Sequence, residues 1–260
     1  GPIERSERLI PQLDRPRRPS REQLTEGAHL ILWGYYKKLF VADNLAVLVR
    51  EVYEGPGTQS GFIVLIATYA FAWQIYCDFS GYTDIARGLA RWLGIDLTRN
   101  FRLPYFAASP RDLWRRWHIS LSEWLRDYLY IPLGGNRSGR IRGQVNLVLT
   151  MGLGGLWHGA NWTFVGWGLF HGAGLAIQRA FGWVTAPRWV RPLAIVVTFH
   201  FTCLAYLIFR SHNGLQVMDL ASKLVTDLVP RAGDLAVLPR LIAPLALLLT
   251  VQLVQYLRGA

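Results

Sequence analysis

The chain has 260 residues, of which 52% are apolar or aromatic and 17% are charged, and its formal net charge is +11. This composition is too apolar for an ordinary soluble domain and too charged for membrane spans alone, so it predicts apolar helices joined by basic connectors. The two cysteines, Cys77 and Cys203, lie far apart in apolar surroundings. They fit neither a disulfide framework nor a CxxC metal site.

Residues 1–27 are polar, and the stretch RPRRPSRE at 15–22 contains four arginines and two prolines. We expect this segment to be an exposed basic connector and residues 28–260 to form one membrane-embedded domain. The chain opens on Gly1 rather than Met, with no signal-peptide pattern. We therefore expect it to be part of a longer protein in which further helices precede residue 1.

Apolar runs along the rest of the chain differ in length. Residues 61–77 are long enough to cross a hydrocarbon core of about 30 Å. Residues 28–49 carry Lys37 and Lys38 in mid-run, which predicts a helix at the interface or packed against protein, since charge at the bilayer centre is unfavourable. The further runs at residues 145–157 and 163–177 are short of the length of a straight crossing, whereas those at 192–209 and 241–257 are better candidates for membrane spans.

The distribution of charge predicts an orientation in the membrane. Residues 87–144 are rich in arginine, whereas residues 51–60 contain two glutamates and no basic residue. By the positive-inside rule the first segment faces the cytoplasm and the second faces outward. A basic, aromatic-rich chain could also bind nucleic acid, but these arginines cluster where the topology requires them, which argues against DNA or RNA as a partner.

Residues 108–140 are predicted to form a basic amphipathic helix and loop on the cytoplasmic side. Ser109 suits the N-cap, Pro110 the first helical position and Asp112 the first turn. Apolar residues then recur at spacings of three and four, which predicts one helix lying in the headgroup plane. His118 lies beside this stripe, either as an interfacial histidine with a hydrogen-bonded ring or as a side chain that points into a protein cavity. The stripe consists of Leu113, Trp117, Leu121, Trp124, Leu125 and Tyr128.

The stretch YCDFSGYTDIARG at residues 76–88 contains carboxylates and two possible nucleophiles. Ser80 could join a carboxylate and a distant histidine, but no G-x-S-x-G elbow or α/β context surrounds it. Cys77 could carry an acyl group, but its neighbours include no base to activate the thiol. A polar network at a helix break is the favoured interpretation of Asp78 and Asp84.

The sequence HGANW at residues 158–162 separates two apolar runs that are each short of a straight crossing. Irregular backbone at membrane depth persists where protein or a water-filled cavity covers it. We therefore expect His158 and Asn161 to line a cavity, where a neutral imidazole could act as a general base. The alternative is a buried histidine bonded to a carbonyl, which is the interpretation we favour for His171 and His200.

Two other functions are compatible with these histidines. His118 and His158 could be the axial ligands of a haem in a helical bundle. A transporter built around a broken helix is the second alternative.

Four segments together resemble a known family: KLFVADNLA (38–46), DFSGYTDIARGLARWLG (78–94), NFRLPYFAASPRDLWRRWHISLSEWLRDYLYIPLGGNR (100–137) and NLVLTMGLGGLWHGANWTFVGWGLFHG (146–172). They are similar to the membrane-bound O-acyltransferase superfamily, and in particular to its alginate O-acetyltransferase branch. Proteins of teichoic acid D-alanylation and peptidoglycan O-acetylation are relatives in the same superfamily.

The resemblance implies an all-α, multi-pass protein of the bacterial inner membrane, with short and broken helices around a central tunnel. It implies an O-acetyltransferase that moves an acetyl group from a cytoplasmic thioester, acetyl-CoA or an acyl carrier, towards hydroxyls of an extracytoplasmic polysaccharide such as alginate. No bound cofactor or metal is expected. The lipid bilayer and a periplasmic O-acetyltransferase are the implied partners.

By the same resemblance, His158 in LWHGANW corresponds to the catalytic histidine and His118 in RRWHISLS to the second histidine. The basic face around Arg111, Arg115 and Arg116 could attract an acidic carrier or the phosphates of coenzyme A. The residues that we expect to line the tunnel or bind substrate are Asn161, Trp157, Trp117, Asp78, Arg115 and Arg116.

Overall fold

The computed structural model describes residues 2–55, 57–137, 139–182 and 187–259, and over these ranges all regular structure is helical. The all-α fold expected from the sequence is therefore confirmed. The helices in chain order are α1 (Ser6–Leu13), α2 (Arg21–Tyr35), α3 (Asp43–Tyr53), α4 (Gly61–Trp92), α5 (Pro110–Trp114), α6 (Ile119–Leu125), α7 (Arg140–His158), α8 (Trp162–Ala180), α9 (Arg191–Arg210), α10 (Gly214–Thr226) and α11 (Leu238–Leu257). Turns of π-helix follow α2 (Tyr36–Ala42) and α6 (Arg126–Tyr130), and 3₁₀ turns form at Pro104–Phe106 and Asp234–Val237.

Three helical segments among the described residues are long and apolar enough to cross a membrane. They are Gly61–Trp92, Arg191–Arg210 and Asp234–Leu257. A helix of about 20 residues is about 30 Å long, which matches the hydrocarbon thickness. The spans predicted from the runs at 61–77, 192–209 and 241–257 are confirmed.

The segment that contains Lys37 and Lys38 is packed against protein, which is one of the two arrangements predicted from the sequence. The helix α2 continues through the π turn into α3 and runs antiparallel to α4. A Cβ built on Gly34 would lie 2.6 Å from the carbonyl oxygen of Gly81, so the two backbones touch. Lys37 is 3% exposed, and its ammonium donates to Asp84 at 2.6 Å and to Ser80 at 3.0 Å. A buried charge is tolerated when it is paired and hydrogen-bonded in this way.

The basic connector is shorter and less detached than residues 1–27 suggested. The helix α2 begins at Arg21, where Ser20 and Gln23 form a reciprocal capping box. Upstream of it, Arg8 donates to the Thr98 hydroxyl at 2.8 Å. The N-terminal segment therefore packs on the loop that follows α4.

The helix break expected within residues 76–88 is wrong, because α4 runs without interruption to Trp92. The polar side chains in this stretch are satisfied by neighbouring residues instead of by a broken backbone. Asp84 pairs with Lys37, and Asp78 pairs with Lys38 at 2.7 Å.

The break expected around HGANW is confirmed. The helices α7 and α8 each contain 19 residues and form a hairpin whose turn is Gly159–Asn161. Each helix is longer than the apolar run it contains, because polar residues at its end are also helical. A Cβ on Gly155 would lie 2.1 Å from the Phe164 carbonyl oxygen, and one on Gly168 would lie 2.2 Å from that of Met151. Small residues thus allow close approach of the two helices.

The single amphipathic helix predicted within 108–140 is wrong. Its start is confirmed, since Pro110 opens α5 and the Ser109 hydroxyl accepts the Asp112 amide at 3.2 Å. The helix then ends at Trp114, and α6 begins only at Ile119. The interruption covers residues 115–118 and therefore includes His118.

Candidate active site

A short hydrogen-bonded clamp positions the segment that contains His118. The amide of Ile119 donates to the Asn100 carbonyl and the amide of Ser120 donates to the Asn100 side-chain oxygen, both at 3.1 Å. The amide of Arg102 donates to the Arg116 carbonyl at 2.9 Å. The loop after α4 therefore fixes the chain on both sides of His118.

His118 adopts the left-handed conformation, with φ of 43° and ψ of 54°. A non-glycine residue in this region costs about 1–3 kcal/mol and persists only when its surroundings enforce it. The residue is 6% exposed, and its ring stands edge-on to Phe79 with the centroids 4.6 Å apart. Its Nδ1 atom has no hydrogen-bond partner among the described residues. The ring is therefore buried in protein, not placed in the headgroup plane.

The environment of His118 keeps the imidazole neutral. Burial and, after it, repulsion from His158 lower the pKa of His118 to about 4. His158, which lies 40 positions further along the sequence, is therefore one of the groups that influence the charge of His118.

His158 is the last residue of α7 and is exposed. Three aromatic rings meet it edge-on: Trp157, Trp167 and Phe209, with centroid distances of 5.0, 5.2 and 5.4 Å. These rings restrict its orientation without sealing it from solvent. The arrangement leaves the imidazole free to accept a proton from a ligand.

Asn161 has a structural role at the hairpin turn. Its side-chain oxygen accepts the Thr163 amide at 3.1 Å, which caps α8, and its Nδ2 donates to the His212 carbonyl at 3.0 Å. Both the oxygen and the nitrogen of this side-chain amide are therefore hydrogen-bonded within the protein. Its expected contact with substrate stays a prediction.

The other predicted lining residues are distributed over different surroundings. Trp157 is 58% exposed beside His158, whereas Trp117 is buried among aromatic rings that include Tyr76 and Tyr105. Asp78 is exposed and paired with Lys38. Arg116 donates to Asp112 at 2.7 Å, and Arg115 is exposed. Of this set, Trp157 contacts one of the two histidines directly.

The alternative nucleophiles are poorly placed for that role. The Ser80 hydroxyl accepts from Lys37 at 3.0 Å and is buried beside an ammonium, which cannot act as its base. Cys77 is fully buried.

The two histidines that the sequence predicted to be structural, His171 and His200, differ from each other. His200 bonds through Nε2 to the Tyr69 hydroxyl at 2.7 Å and through Nδ1 to the Val196 carbonyl at 2.8 Å. Its expected bond to a carbonyl is confirmed, but its expected burial is wrong, because the residue is exposed. His171 is buried, as expected, but its Nδ1 has no hydrogen-bond partner within the described part of the chain.

Reasoning from the sequence missed several residues of this site. Asn100 organises the His118 segment, and Phe79, Trp167 and Phe209 pack against the two imidazoles. An asparagine directly before an extended apolar stretch was the available signal for Asn100. The aromatic contacts join residues from different helices, so no local pattern marks them.

The sequence of the chain is similar to those of known proteins. The sequence profile of the membrane-bound O-acyltransferase family matches residues 28–215. The probable alginate O-acetylase of Pseudomonas aeruginosa is 45% identical over 215 residues, which cover 82% of this chain and 41% of the relative. The peptidoglycan O-acetyltransferase of Helicobacter pylori is 38% identical over 238 residues, covering 90% of this chain and 44% of the relative.

A more distant relative is named for a different activity. The teichoic acid D-alanyltransferase of Bacillus subtilis is 28% identical over 229 residues, covering 80% of this chain and 57% of that protein. The chain thus spans less than two thirds of the length of each of these relatives.

Proposed function

The chain belongs to the membrane-bound O-acyltransferase family, and from that premise we propose that it transfers an acyl group from a thioester to a hydroxyl, with His158 as the general base. The proposal is supported by an exposed imidazole at the α7–α8 turn and a buried, neutral imidazole at residue 118 whose pKa is lowered by burial and by His158. A general base of this kind contributes about 10²–10⁴-fold in rate.

In the proposed reaction His158 accepts one proton and later donates it to the leaving group. His158 removes the proton of the acceptor hydroxyl while the oxygen attacks the thioester carbonyl. The resulting tetrahedral intermediate collapses, the C–S bond breaks, and the leaving thiolate takes the proton from the imidazolium. In this proposal His118 orients the donor or donates to the oxyanion, a contribution that preorganised donors make in acyl transfer.

The names of the relatives extend the proposal to the substrates. Two of them are named for O-acetylation of alginate and of peptidoglycan. We therefore propose an acetyl group as the cargo, a cytoplasmic thioester as the donor, acetyl-CoA or an acyl carrier, and an extracytoplasmic polysaccharide as the final acceptor. A periplasmic O-acetyltransferase is the partner proposed to complete the transfer, in the inner membrane of a bacterium.

The test is the acyl content of the cell's polysaccharides, measured by mass spectrometry. Replacing His158 with alanine removes the proposed base, so we expect acylation to fall about 10²–10⁴-fold while the protein still inserts in the membrane. The control is His29→Ala, because His29 is exposed on α2, far along the chain from the site. Unchanged acylation in the His158 variant would contradict the base role.

A further inference from the structure

A large groove lies between α8, α9 and the start of α5. We call it the α8–α9 groove, and its volume is 810 Å³. Residues 108–110 form one wall, and the other walls belong to the two long helices. Ile177, Leu193 and Val197 line the groove and are exposed, so the groove opens on the outer surface of the bundle.

One face of α9 lines the groove along about the depth of one membrane leaflet. From Val190 to Phe201 the rise of 1.5 Å per residue gives about 16 Å, and half of a hydrocarbon core is about 15 Å. The Thr198 hydroxyl donates to the Ala194 carbonyl at 2.7 Å, so this face offers a ligand an apolar surface. The residues of this face are Val190, Leu193, Ala194, Val197, Thr198 and Phe201.

The helix α9 is also accessible to lipid. It is one of the candidate membrane spans, and 33% of its apolar window is buried within the described chain. The remainder of this window is therefore available to contact acyl chains. A groove in such a helix differs from an interior cavity, because a lipid can enter it from the side.

A smaller basic pocket adjoins one end of the groove. Its volume is 330 Å³, and Gln178 and Gly182 line both spaces. Arg111 and Arg179 line the pocket. The Arg179 guanidinium donates to the Tyr130 hydroxyl at 3.1 Å, and the backbone amide of Arg111 donates to the Gln178 side-chain oxygen at 2.9 Å. Both arginines are thereby fixed where the apolar groove ends.

The positive charge of this pocket is not neutralised by carboxylates of the described chain. Asp112 follows Arg111 but pairs with Arg116 at 2.7 Å. From residue 128 to residue 218 the sequence contains no aspartate and no glutamate. By the positive-inside rule this basic end of α7, α8 and α9 faces the cytoplasm. Further arginines at or near the same end are Arg137, Arg140, Arg142, Arg188 and Arg191.

We propose that the α8–α9 groove and the basic pocket together bind one anionic glycerophospholipid of the cytoplasmic leaflet. An acyl chain lies in the groove, and the phosphate contacts Arg111 and Arg179. Basic pockets between membrane helices on the cytoplasmic side suit anionic headgroups, and guanidinium groups match phosphate oxygens in a bidentate geometry. The lipid is a bound component of the fold and takes no part in the proposed acyl transfer.

The same features disfavour two other occupants. A soluble phosphate compound would use the arginines but leave the apolar groove without a ligand. A zwitterionic phospholipid would fill the groove, but its own ammonium group reduces the attraction between the phosphate and the arginines. An anionic phospholipid uses both the charge of the pocket and the apolar face of α9.

The first test is native mass spectrometry of the purified protein, titrated in detergent with dioleoylphosphatidylglycerol. We expect one phosphatidylglycerol per chain, bound more tightly than dioleoylphosphatidylcholine, which has the same acyl chains. The double variant Arg111→Gln, Arg179→Gln should bind phosphatidylglycerol about 30-fold more weakly, the loss expected for two basic residues at an anionic lipid. The control Arg137→Gln, Arg142→Gln removes the same charge from exposed residues outside both spaces and should stay close to the wild-type affinity.

A second pair of variants tests the groove itself. Val197 and Val196 are neighbouring residues of α9 that are 59% and 52% exposed, and Val197 lines the groove whereas Val196 does not. We expect Val197→Trp to fill the groove and lose phosphatidylglycerol binding, and Val196→Trp to bind like the wild type. Both substitutions lie on the surface, so this comparison still tests the site if the arginine variant does not fold.

Four results would overturn the proposal. Phosphatidylcholine could bind as tightly as phosphatidylglycerol, the double arginine variant could match its control, or Val197→Trp could keep the wild-type affinity. Displacement of phosphatidylglycerol by coenzyme A or inorganic phosphate would assign the pocket to a soluble ligand instead. The proposed function is judged separately, because His158→Ala should lose transfer and still bind phosphatidylglycerol normally.

Discussion

At the scale of single residues, the backbone of His118 is the most constrained feature of the site. Its left-handed conformation is unfavourable for a residue with a Cβ, and it is enforced by hydrogen bonds that the amides of the two following residues donate to Asn100. Leu103, at the other end of the same clamp, is a second non-glycine residue with positive φ, at 47°. The strain therefore lies where the loop after α4 meets the site.

This strain predicts a difference between two substitutions of His118. Asparagine tolerates the left-handed region, whereas a β-branched residue does not. We expect His118→Val to destabilise the protein by about 1–3 kcal/mol more than His118→Asn, measured by thermal unfolding in detergent. Both variants lose the imidazole, so both should lose transfer activity. Equal stability of the two variants would show that the conformation is not strained.

At the scale of helices, the close contact of α7 and α8 holds His158 beside its aromatic neighbours. His158 ends α7, whereas Trp167 belongs to α8. Glycines at the crossing set the distance between these helices, because backbone oxygens of one helix touch the other. Any side chain at the crossing would move the imidazole relative to Trp167.

Two glycines of α8 provide a matched test. A Cβ on Gly168 would lie 2.2 Å from the Met151 carbonyl oxygen, whereas one on Gly166 has Ile208 as its nearest neighbour, at 3.5 Å. We expect Gly168→Ala to destabilise the protein by about 1–3 kcal/mol through overpacking and to lower transfer activity. Gly166→Ala should be neutral or slightly stabilising, since alanine favours helix. Thermal unfolding and acylation assays measure both, and identical behaviour would contradict the packing argument.

Sequence patterns predicted helices well where the determinants are local. The Ser109 cap, the long spans and the HGANW turn follow from neighbouring residues. The break at His118 depends on Asn100, which lies outside the amphipathic segment, and the apolar spacing continues across the break because Leu113, Trp117 and Leu121 are all buried. The apolar periodicity therefore predicted one helix, although hydrogen bonds to Asn100 divide the segment into two helices.

At the scale of the whole molecule, ion pairs join segments that are distant in the chain. At the end of the bundle that contains residues 51–60, Glu51 pairs with Arg240 and Glu54 with Arg210. Within the bundle, Lys37 pairs with Asp84 across the contact of α2 and α4. The sequence showed the charges of residues 76–88 but not their partners, which is why a helix break was expected within that stretch.

The Lys37–Asp84 pair predicts an asymmetric response to mutation. Asp84→Asn leaves a buried ammonium without its carboxylate, and breaking a buried pair in this way costs about 3–5 kcal/mol. Lys37→Met removes the buried charge and leaves Asp84 near Arg87, 3.4 Å away. We expect the aspartate variant to unfold at the lower temperature in detergent. The reverse order would mean that Lys37 is stabilised by its other neighbours.

The position of His158 at the carboxyl end of α7 affects its reactivity. The peptide dipoles of a helix add up to a partial negative charge at that end. When the imidazole takes a proton, the positive charge it acquires therefore faces the favourable pole of the helix that carries it, an effect worth about 0.3–1 kcal/mol. The backbone of α7 thus contributes to the basicity of the residue that it positions.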